Sequence, residues 1–267
     1  MRSTRSTTGT QRSAPAADQP AEHFLWAARE LYDRGFREVN FNLGCPAGTV
    51  AAKRKGAGLL AYPQELDRCL EEIFAGLPRG MTVSVKTRIG KNDPGEWPGL
   101  LEIYRRYPLA ELIVHPRLQK DFYKGTPHRE AFSTVSGPWP VVYNGDIWTA
   151  EDAAALSRDF PGTDAVMLGR GLMRDPSLLR QLRGGPAASV REVRTYHDRL
   201  LDAYRQRLSG DLPVMHRMWE LWTYLAAGFD GAEPYLKRMR KAKNLSEYQA
   251  AVDALLREQP LVYSKER

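Results

Sequence analysis

The feature that most constrains this chain is the alternation of apolar, strand-like segments with amphipathic helical segments. Helical periodicity fills the intervals, as in TAEDAAALSRDF, where Thr149 is placed to cap the helix. Alternating strands and helices with short links pair in parallel through right-handed crossovers. The pattern therefore predicts an α/β fold with a parallel sheet. The five strand-like segments are REVNFNLG, MTVSVKTRIG, ELIVHPR, PVVYNGDI and DAVMLGRG.

Helical patterns also occupy both ends of this array. One pattern begins at Pro20, and Gly35 is placed to end that helix in a left-handed conformation. After about residue 185 the strand patterns stop, and three helical segments follow, separated by SGDLP and by the basic stretch YLKRMRKAKN. We interpret residues 1–19, rich in Ser, Thr, Ala, Pro and Arg, as disordered. The three helical segments are 189–208, 214–228 and 245–257.

Composition excludes several broad classes of protein. Hydrophobic residues make up 42% of the 267 residues and charged residues 27%, as in soluble globular proteins. No apolar run reaches the roughly 18–20 residues of a membrane span, and the N-terminus lacks the apolar region of a secretion signal. Two cysteines fit a reducing cytoplasm. The excess of 39 Lys+Arg over 32 Asp+Glu, a net charge of +7, favours a polyanionic partner.

Polar or reactive residues follow every predicted strand. In parallel α/β folds, ligands bind at the carboxyl ends of the strands. A structural sheet has no need of such a concentration of functional groups, so the sequence predicts a binding or catalytic site at this edge. The strand ends are Asn42–Pro46, Lys86–Arg88, His115–Arg117, Asn144–Asp146 and Gly169–Gly171.

The last two strand ends have the composition of an anion site. At both strand ends a following helix would offer the backbone N–H groups of its N-terminus to an anion. The residues at these positions are Asn144, Gly145 and Asp146 after the fourth strand, and Gly169 and Arg170 after the fifth. The loops after the last two strands of a (βα)₈ barrel commonly bind phosphate, and an arginine adds a fixed cation. The alternative is that these glycines only make tight turns.

Three other residues are candidates for chemistry, each with a structural alternative. Lys86 can stabilise negative charge on a reduced flavin, or be a surface lysine. His115 is placed to reach the mouth of the site, or to be a buried core histidine. Cys45, in a Gly-Cys-Pro turn, is a plausible nucleophile or proton donor. By contrast, Cys69 falls on the apolar side of a helix and is interpreted as structural.

The sequence contains none of the common metal or nucleotide motifs. The five histidines have no HxxxH spacing and the two cysteines no CxxC spacing, so no metal site is predicted. Neither GxGxxG nor GxxxxGK[ST] occurs.

Taken together, these motifs resemble the tRNA-dihydrouridine synthase family. NLGCPAGTVAAKRKGAGLL resembles the family signature, and VSVKTRIG, VHPR, YNGDI and DAVMLGRG follow in the family's order and at similar spacing. The resemblance implies an FMN oxidoreductase that reduces the C5=C6 bond of uridines in tRNA with NADPH or NADH. Cys45 would protonate C5, Asn42 would hold the uracil or the flavin edge, and Arg117 would contact RNA or flavin. The implied FMN-binding residues are Lys86, His115, Asn144, Gly145, Asp146, Gly169 and Arg170.

The resemblance also implies a fold and its partner. It predicts a TIM-type (βα)₈ barrel that binds FMN over residues 20–185, followed by an all-α, tRNA-binding domain over 186–267. We expect the protein to be cytoplasmic and monomeric, with neither a membrane nor a metal as a partner. In MHRMWELWTYL, Trp219, Trp222 and Tyr224 either stack on bases or belong to a helical core. The basic residues that can contact RNA are Lys53, Arg54, Lys55, Lys120, Lys124, Lys237, Arg238, Arg240, Lys241 and Lys243.

The sequence departs from the family pattern before Cys45. Such barrels take about 250 residues, and here only about five strands are present, without the family's opening Ala-Pro-Met strand. We therefore expect the barrel to be N-terminally incomplete, through a missed start, a frameshift or a degenerate gene. Two alternative functions follow: a non-catalytic FMN- or RNA-binding remnant, and another FMN barrel that acts on a small pyrimidine.

Overall fold

A computed structural model describes residues 20–263, so the disorder expected for residues 1–19 lies outside the described residues. The described residues contain five strands, three that pair in parallel in the first part of the chain and two that pair in parallel in the second. No helix in the described part of the chain is long and apolar enough to cross a bilayer. The strands are β1 (Glu38–Leu43), β2 (Thr82–Arg88), β3 (Leu112–His115), β4 (Val141–Asn144) and β5 (Ala165–Met167).

The described part of the chain divides into two compact units, the first ending at residue 140 and the second beginning at residue 141. This division differs from the predicted domains 20–185 and 186–267, which stay a prediction. The helices of the first unit are α1 (Pro20–Asp33), α2 (Gly48–Ala51), α3 (Pro63–Gly76), α4 (Trp97–Arg105) and α5 (Arg129–Phe132). The helices of the second unit are α6 (Ala150–Asp159), α7 (Arg170–Arg174), α8 (Leu178–Leu182), α9 (Val190–Arg207), α10 (Asp211–Leu225), α11 (Glu233–Lys241) and α12 (Leu245–Glu258).

In the first unit, β2 pairs in parallel with both β1 and β3. The longer helices of this unit are α1, α3 and α4. The predicted end of α1 is confirmed, because Gly35 has a φ of +94° and follows the last turn of the helix. Strand β1 alternates between exposed and buried residues, whereas all four residues of β3 are buried. The apolar side chains of β2 and the inner face of α3 therefore contribute to the core, with Val83, Val85, Leu66 and Leu70 almost fully buried.

In the second unit, β4 pairs in parallel with β5, and the predicted cap of α6 is confirmed. The Thr149 hydroxyl accepts from Asp152 N at 3.2 Å, and the Asp152 carboxylate accepts from Thr149 N at 2.9 Å. This reciprocal capping box satisfies backbone N–H groups that would otherwise lack partners at the start of the helix. The helix therefore begins where the sequence predicts.

The helical end of the second unit has its own apolar core. Met215, Met218, Leu225 and Val252 are fully buried there. The prediction that the basic stretch YLKRMRKAKN only separates two helices is wrong, because α11 covers most of it. The part of SGDLP from Asp211 onward likewise belongs to a helix, α10.

A buried polar network crosses this helical core. Trp222 Nε1 donates to the Tyr248 hydroxyl at 2.8 Å, and that hydroxyl lies 2.8 Å from His197 Nε2. His197 Nδ1 lies 2.8 Å from Asp198 Oδ1. Because the Tyr248 hydroxyl accepts from Trp222, its own proton is available to His197 Nε2, and Nδ1–H then donates to Asp198. The neutral imidazole therefore satisfies every member of the network.

This network predicts that the helical core loses stability in acid. Burial lowers the pKa of His197 below its usual value of about 6.5, although Asp198 opposes the shift. As the pH falls below 6.5, the unfolded chain takes up a proton that folded His197 does not, so the free energy of unfolding decreases. The slope approaches about 1.4 kcal/mol per pH unit at most. Urea unfolding of wild type at pH values above and below 6.5 measures it.

The matched controls for this prediction are His197→Gln and His216→Gln. We expect His197→Gln to flatten the acid slope. His216 lies exposed on α10, so His216→Gln is expected to keep the wild-type slope. An unchanged slope in His197→Gln would contradict the assignment of the acid sensitivity to this network.

Candidate active site

The turn after β1 places Gly44, the residue before Cys45, beside a lysine of the neighbouring strand. Asn42 Oδ1 accepts from Gly44 N at 2.9 Å, which fixes the start of the turn. Asn42 is paired in register with Lys86 of β2. A Cβ on Gly44 would lie 3.2 Å from Lys86 Nζ. Because Gly44 has no side chain, the Lys86 ammonium group can lie close to the backbone of the turn. Cys45 follows Gly44 directly and is half-buried.

The backbone after the turn returns to Cys45. Ala57 N donates to the carbonyl of Cys45 at 3.0 Å. A Cβ on Gly56, whose φ is +54°, would lie 3.0 Å from the Cys45 carbonyl oxygen. A Cβ on Gly58 would lie 2.3 Å from the carbonyl oxygen of Ala51, a steric overlap. The Gly- and Ala-rich stretch after the cysteine is therefore required for close packing of backbone against backbone.

Lys86 lies in an environment that lowers the pKa of its ammonium group. The side chain is half-buried, and its pKa falls from 10.5 to about 8. Burial is the larger cause, and the neighbouring charge of Arg88 is the second. An ammonium group with this pKa exchanges its proton near neutral pH, a property more typical of a functional site than of a surface lysine.

Arg88 is a fully buried arginine that joins the cysteine turn to the segment after β3. Its Nε donates to the Gly44 carbonyl at 2.9 Å, and Nη1 donates to the Leu118 carbonyl at 2.8 Å. The side chain has no exposed surface. The two carbonyls come from segments far apart in the sequence, so Arg88 fixes the backbone immediately before Cys45. From the sequence, Arg88 is only part of a strand end, and no local pattern indicates its role.

His115 and Arg117 are both buried after β3. Their exposed fractions are 4% and 1%, and Arg117 Nη1 lies 3.2 Å from His115 Nε2. Arg117 Nε also donates to the Lys124 carbonyl at 3.2 Å, and Nη2 donates to the Gly125 carbonyl. Arg117 therefore holds the loop at 124–125, and a direct contact of its guanidinium with RNA or flavin stays a prediction.

Cys69 has the buried position expected of a structural cysteine. It lies on α3 with 5% of its surface exposed. Burial, and next the charge of Glu72, raises the pKa of its thiol to about 12. A thiol that stays protonated at neutral pH is a poor nucleophile. The two cysteines of the chain are thus in contrasting environments.

The second unit places the other predicted site residues in one group. Arg170 Nη2 donates to Asp146 Oδ1 at 2.8 Å, and its guanidinium lies 4.9 Å from the centre of the Trp148 ring. Asn144 Nδ2 donates to the Met167 carbonyl at 2.9 Å, which ties the ends of β4 and β5 together. Gly169 immediately precedes α7. The pairing of Arg170 with Asp146 joins residues 24 positions apart and has no local signal in the sequence.

A second glycine in this group permits close packing of the two strand ends. A Cβ on Gly171 would lie 2.1 Å from the carbonyl oxygen of Ile147, which no side chain can tolerate. This glycine therefore allows the start of α7 to approach the loop after β4. Asp146 has a φ of +38°, in the left-handed region.

The basic candidates and the aromatic residues of α10 occupy different environments. Trp222 is buried and Trp219 Nε1 donates to the Met239 carbonyl at 3.0 Å, so both belong to the helical core, as one interpretation had it. Tyr224 is half-buried. Lys55 is half-buried too, whereas nine of the ten basic candidates are exposed: Lys53, Arg54, Lys120, Lys124, Lys237, Arg238, Arg240, Lys241 and Lys243.

One of the exposed arginines is paired locally. Arg54 Nη1 lies 2.5 Å from Glu65 Oε1, and its guanidinium lies 4.4 Å from the centre of the Tyr62 ring.

In the part of the chain that the structure describes, no group of three or more His, Cys, Asp or Glu residues is arranged to bind a metal ion.

A parallel sheet with a thiol, a perturbed lysine and buried arginines near its carboxyl edge defines an α/β enzyme. The family model described as dihydrouridine synthase matches residues 13–260. The chain belongs to the dihydrouridine synthase family and is therefore an oxidoreductase of the flavin-dependent class.

Individual relatives are distant in sequence but similar over most of their length. A probable tRNA-dihydrouridine synthase of Staphylococcus aureus is 26% identical over 88% of this chain and 72% of its own. A probable tRNA-dihydrouridine synthase 2 of Bacillus subtilis is 26% identical over 88% of this chain and 73% of its own. Among solved structures, a variant of NCR from Zymomonas mobilis aligns with a TM-score of 0.42 and 18% identity, over 63% of this chain and 56% of that one.

Proposed function

We propose that this protein reduces the C5=C6 bond of uridines in tRNA, with FMN as cofactor and NADPH or NADH as reductant. The observation that carries the proposal is the half-buried Cys45 in a turn whose preceding residue, Gly44, lies beside the ammonium group of Lys86, whose pKa is about 8. Family membership and the tRNA-related names of the relatives support the same reaction.

In this proposal each residue of the turn has one task. The chemistry that FMN would supply when bound is a hydride for C6 of the uracil ring. Charge then develops at C5 and O4, and Cys45 Sγ gives its proton to C5, which completes the addition of two hydrogens. The positive charge of Lys86 would stabilise negative charge on the reduced flavin ring. Asn42, which already orders the turn through Gly44, holds the uracil or the flavin edge.

The residues present fit a flavin. Lys86 and His115 would lie against the isoalloxazine ring, since Lys86 is a half-buried cation and the His115 ring is held by Arg117. In the second unit, the Asp146–Arg170 pair holds a guanidinium group, whose charge and planar geometry suit a phosphate. The proposed phosphate-binding residues are Asn144, Gly145, Asp146, Gly169 and Arg170.

Fold and partner complete the proposal. The parallel strand order fits part of a TIM-type (βα)₈ barrel, and the helices after residue 185 would form the tRNA-binding domain. The exposed lysines and arginines would contact phosphates of the RNA, so binding should weaken steeply with salt. A tRNA substrate places the reaction in the cytoplasm.

The test of this function combines a spectrum with a product analysis. The purified full chain is expected to carry the visible absorbance of bound flavin. With NADPH and unmodified tRNA, it is expected to add two hydrogens to specific uridines, which mass spectrometry of the digested tRNA detects. A folded, colourless protein that leaves every uridine unreduced would refute the enzyme assignment and favour a binding remnant. Reduction of free uracil but not of tRNA would favour a small-molecule enzyme.

The lowered pKa of Lys86 predicts a limb in the pH profile of the reaction. Since the pKa is about 8, the cation is lost as the pH rises through 8, and the rate of reduction should fall there. Steady-state rates across this range measure the limb. Lys86→Arg keeps its charge at all these pH values, so its residual activity should lack the limb. A wild-type limb that persists in Lys86→Arg would assign it to another group.

A further inference from the structure

The segment after β3 displays two aromatic side chains to solvent. We call residues 119–125 the aromatic loop. The exposed fractions of Phe122 and Tyr123 are 44% and 54%. Lys124 follows the pair directly, and Lys120 precedes it by two residues; both lysines are exposed. Asp121, which lies between Lys120 and Phe122, is half-buried, and its carboxylate accepts from Leu118 N at 2.8 Å. Adjacent exposed aromatic rings are a common mark of an interaction surface, and flanking lysines favour an anionic partner.

The aromatic loop is a built structure joined to the cysteine turn. The buried Arg117 donates to the carbonyls of Lys124 and Gly125, which fixes the end of the loop. At the other end, Gln119 Nε2 donates to the Pro46 carbonyl at 3.1 Å. Since Pro46 follows Cys45 directly, the loop is fastened one residue from the proposed proton donor.

The Tyr123 ring is held by neighbouring side chains, and Phe122 has an unusual backbone conformation. The Tyr123 ring stacks on His115 with centres 6.2 Å apart, and the Arg88 guanidinium lies 5.3 Å from its centre. Phe122 has a φ of +52°, which is unfavourable for a residue with a Cβ. A backbone of this kind persists only where the surroundings hold it. The fold thus keeps a large apolar side chain at the surface instead of burying it.

We propose that the aromatic loop binds the nucleotide next to the reactive uridine, with its base stacked on Phe122 and Tyr123 and its phosphates near Lys120 and Lys124. This inference rests on the proposed function. A uridine that reaches Cys45 must leave its stack, so its neighbour loses a stacking partner as well. Aromatic side chains replace such a partner for any base, because every base has a π-face. The loop would therefore compensate part of the cost of unstacking without reading the sequence.

The test uses two single-stranded RNA probes. Each carries a fluorescent label and one uridine, flanked in the first probe by adenosines and in the second by abasic sites. We expect Tyr123→Ala and Phe122→Ala to weaken binding of the first probe about tenfold. On the abasic probe the same variants should bind like wild type, because no flanking base remains to stack. Tyr123→Phe keeps the ring and should bind both probes like wild type.

Trp26→Ala is the matched control, since Trp26 lies on α1 of the same unit with 67% of its surface exposed. It should leave binding of both probes unchanged. Equal losses on both probes in the loop variants, or no loss on either, would overturn the stacking proposal. So would affinity for protein partners but not for RNA. Because fluorescence anisotropy needs no turnover, a wild type that binds RNA but forms no dihydrouridine would refute only the proposed function.

Discussion

Replacing Cys45 with alanine is expected to reduce dihydrouridine formation by about 10²- to 10⁴-fold, the usual contribution of a positioned general acid. Cys45 supplies the proton for C5, and the structure holds its backbone through Ala57 N. Flavin binding and flavin reduction by NADPH should stay at wild-type levels, since neither uses this proton. Single-turnover rates for flavin reduction and for uridine reduction separate the two steps.

Cys69→Ala is the matched control for this substitution. The Cys69 thiol is buried on α3, so its removal leaves a small cavity and should lower stability by about 1 kcal/mol. The rate of uridine reduction should not change. Wild-type turnover in Cys45→Ala would remove Cys45 from the role of proton donor, and a large loss of turnover in Cys69→Ala would show that the assay reports on folding.

Local signals in the sequence were sufficient for most elements of the fold. Thr149 caps α6 and Gly35 ends the first helix because both depend only on their own neighbourhood. Helix α11 was missed for a physical reason. It has a single fully buried residue, Met239, and its other face carries so many charges that the pattern resembled a linker. A narrow apolar stripe is a weak signal for a helix that packs only along one edge.

The candidate site could be predicted only in part. The sequence places Cys45 after β1 and Lys86 near the end of β2, but the approach of Lys86 to the turn at Gly44 depends on the register of β1 with β2. No local pattern determines that register. The roles of Arg88 and Tyr123 depend on contacts between segments distant in the sequence, as in the bond from Arg88 Nη1 to Leu118 O. Such roles become visible only when the segments are placed together.

Arg88→Met is expected to destabilise the first unit by about 2–4 kcal/mol. Methionine fills part of the same space but leaves the carbonyls of Gly44 and Leu118 without their donors, and a buried, unsatisfied polar group costs about 1–3 kcal/mol. The turn before Cys45 should also lose its fixed position. Uridine reduction should therefore fall even at temperatures where the variant is folded. Urea unfolding measures the first effect, and single-turnover rates measure the second.

Arg106→Met separates the loss of these bonds from the loss of a positive charge. Arg106 is exposed, and its ion pair with Asp67 has an N–O distance of 2.7 Å. Exposed pairs of this kind contribute about 0–1 kcal/mol, so this variant should unfold close to wild type and keep its activity. Equal destabilisation in both variants would contradict the assigned role of Arg88. A stable but inactive Arg88→Met would instead mean that the turn tolerates the loss and that the guanidinium acts on the reaction directly.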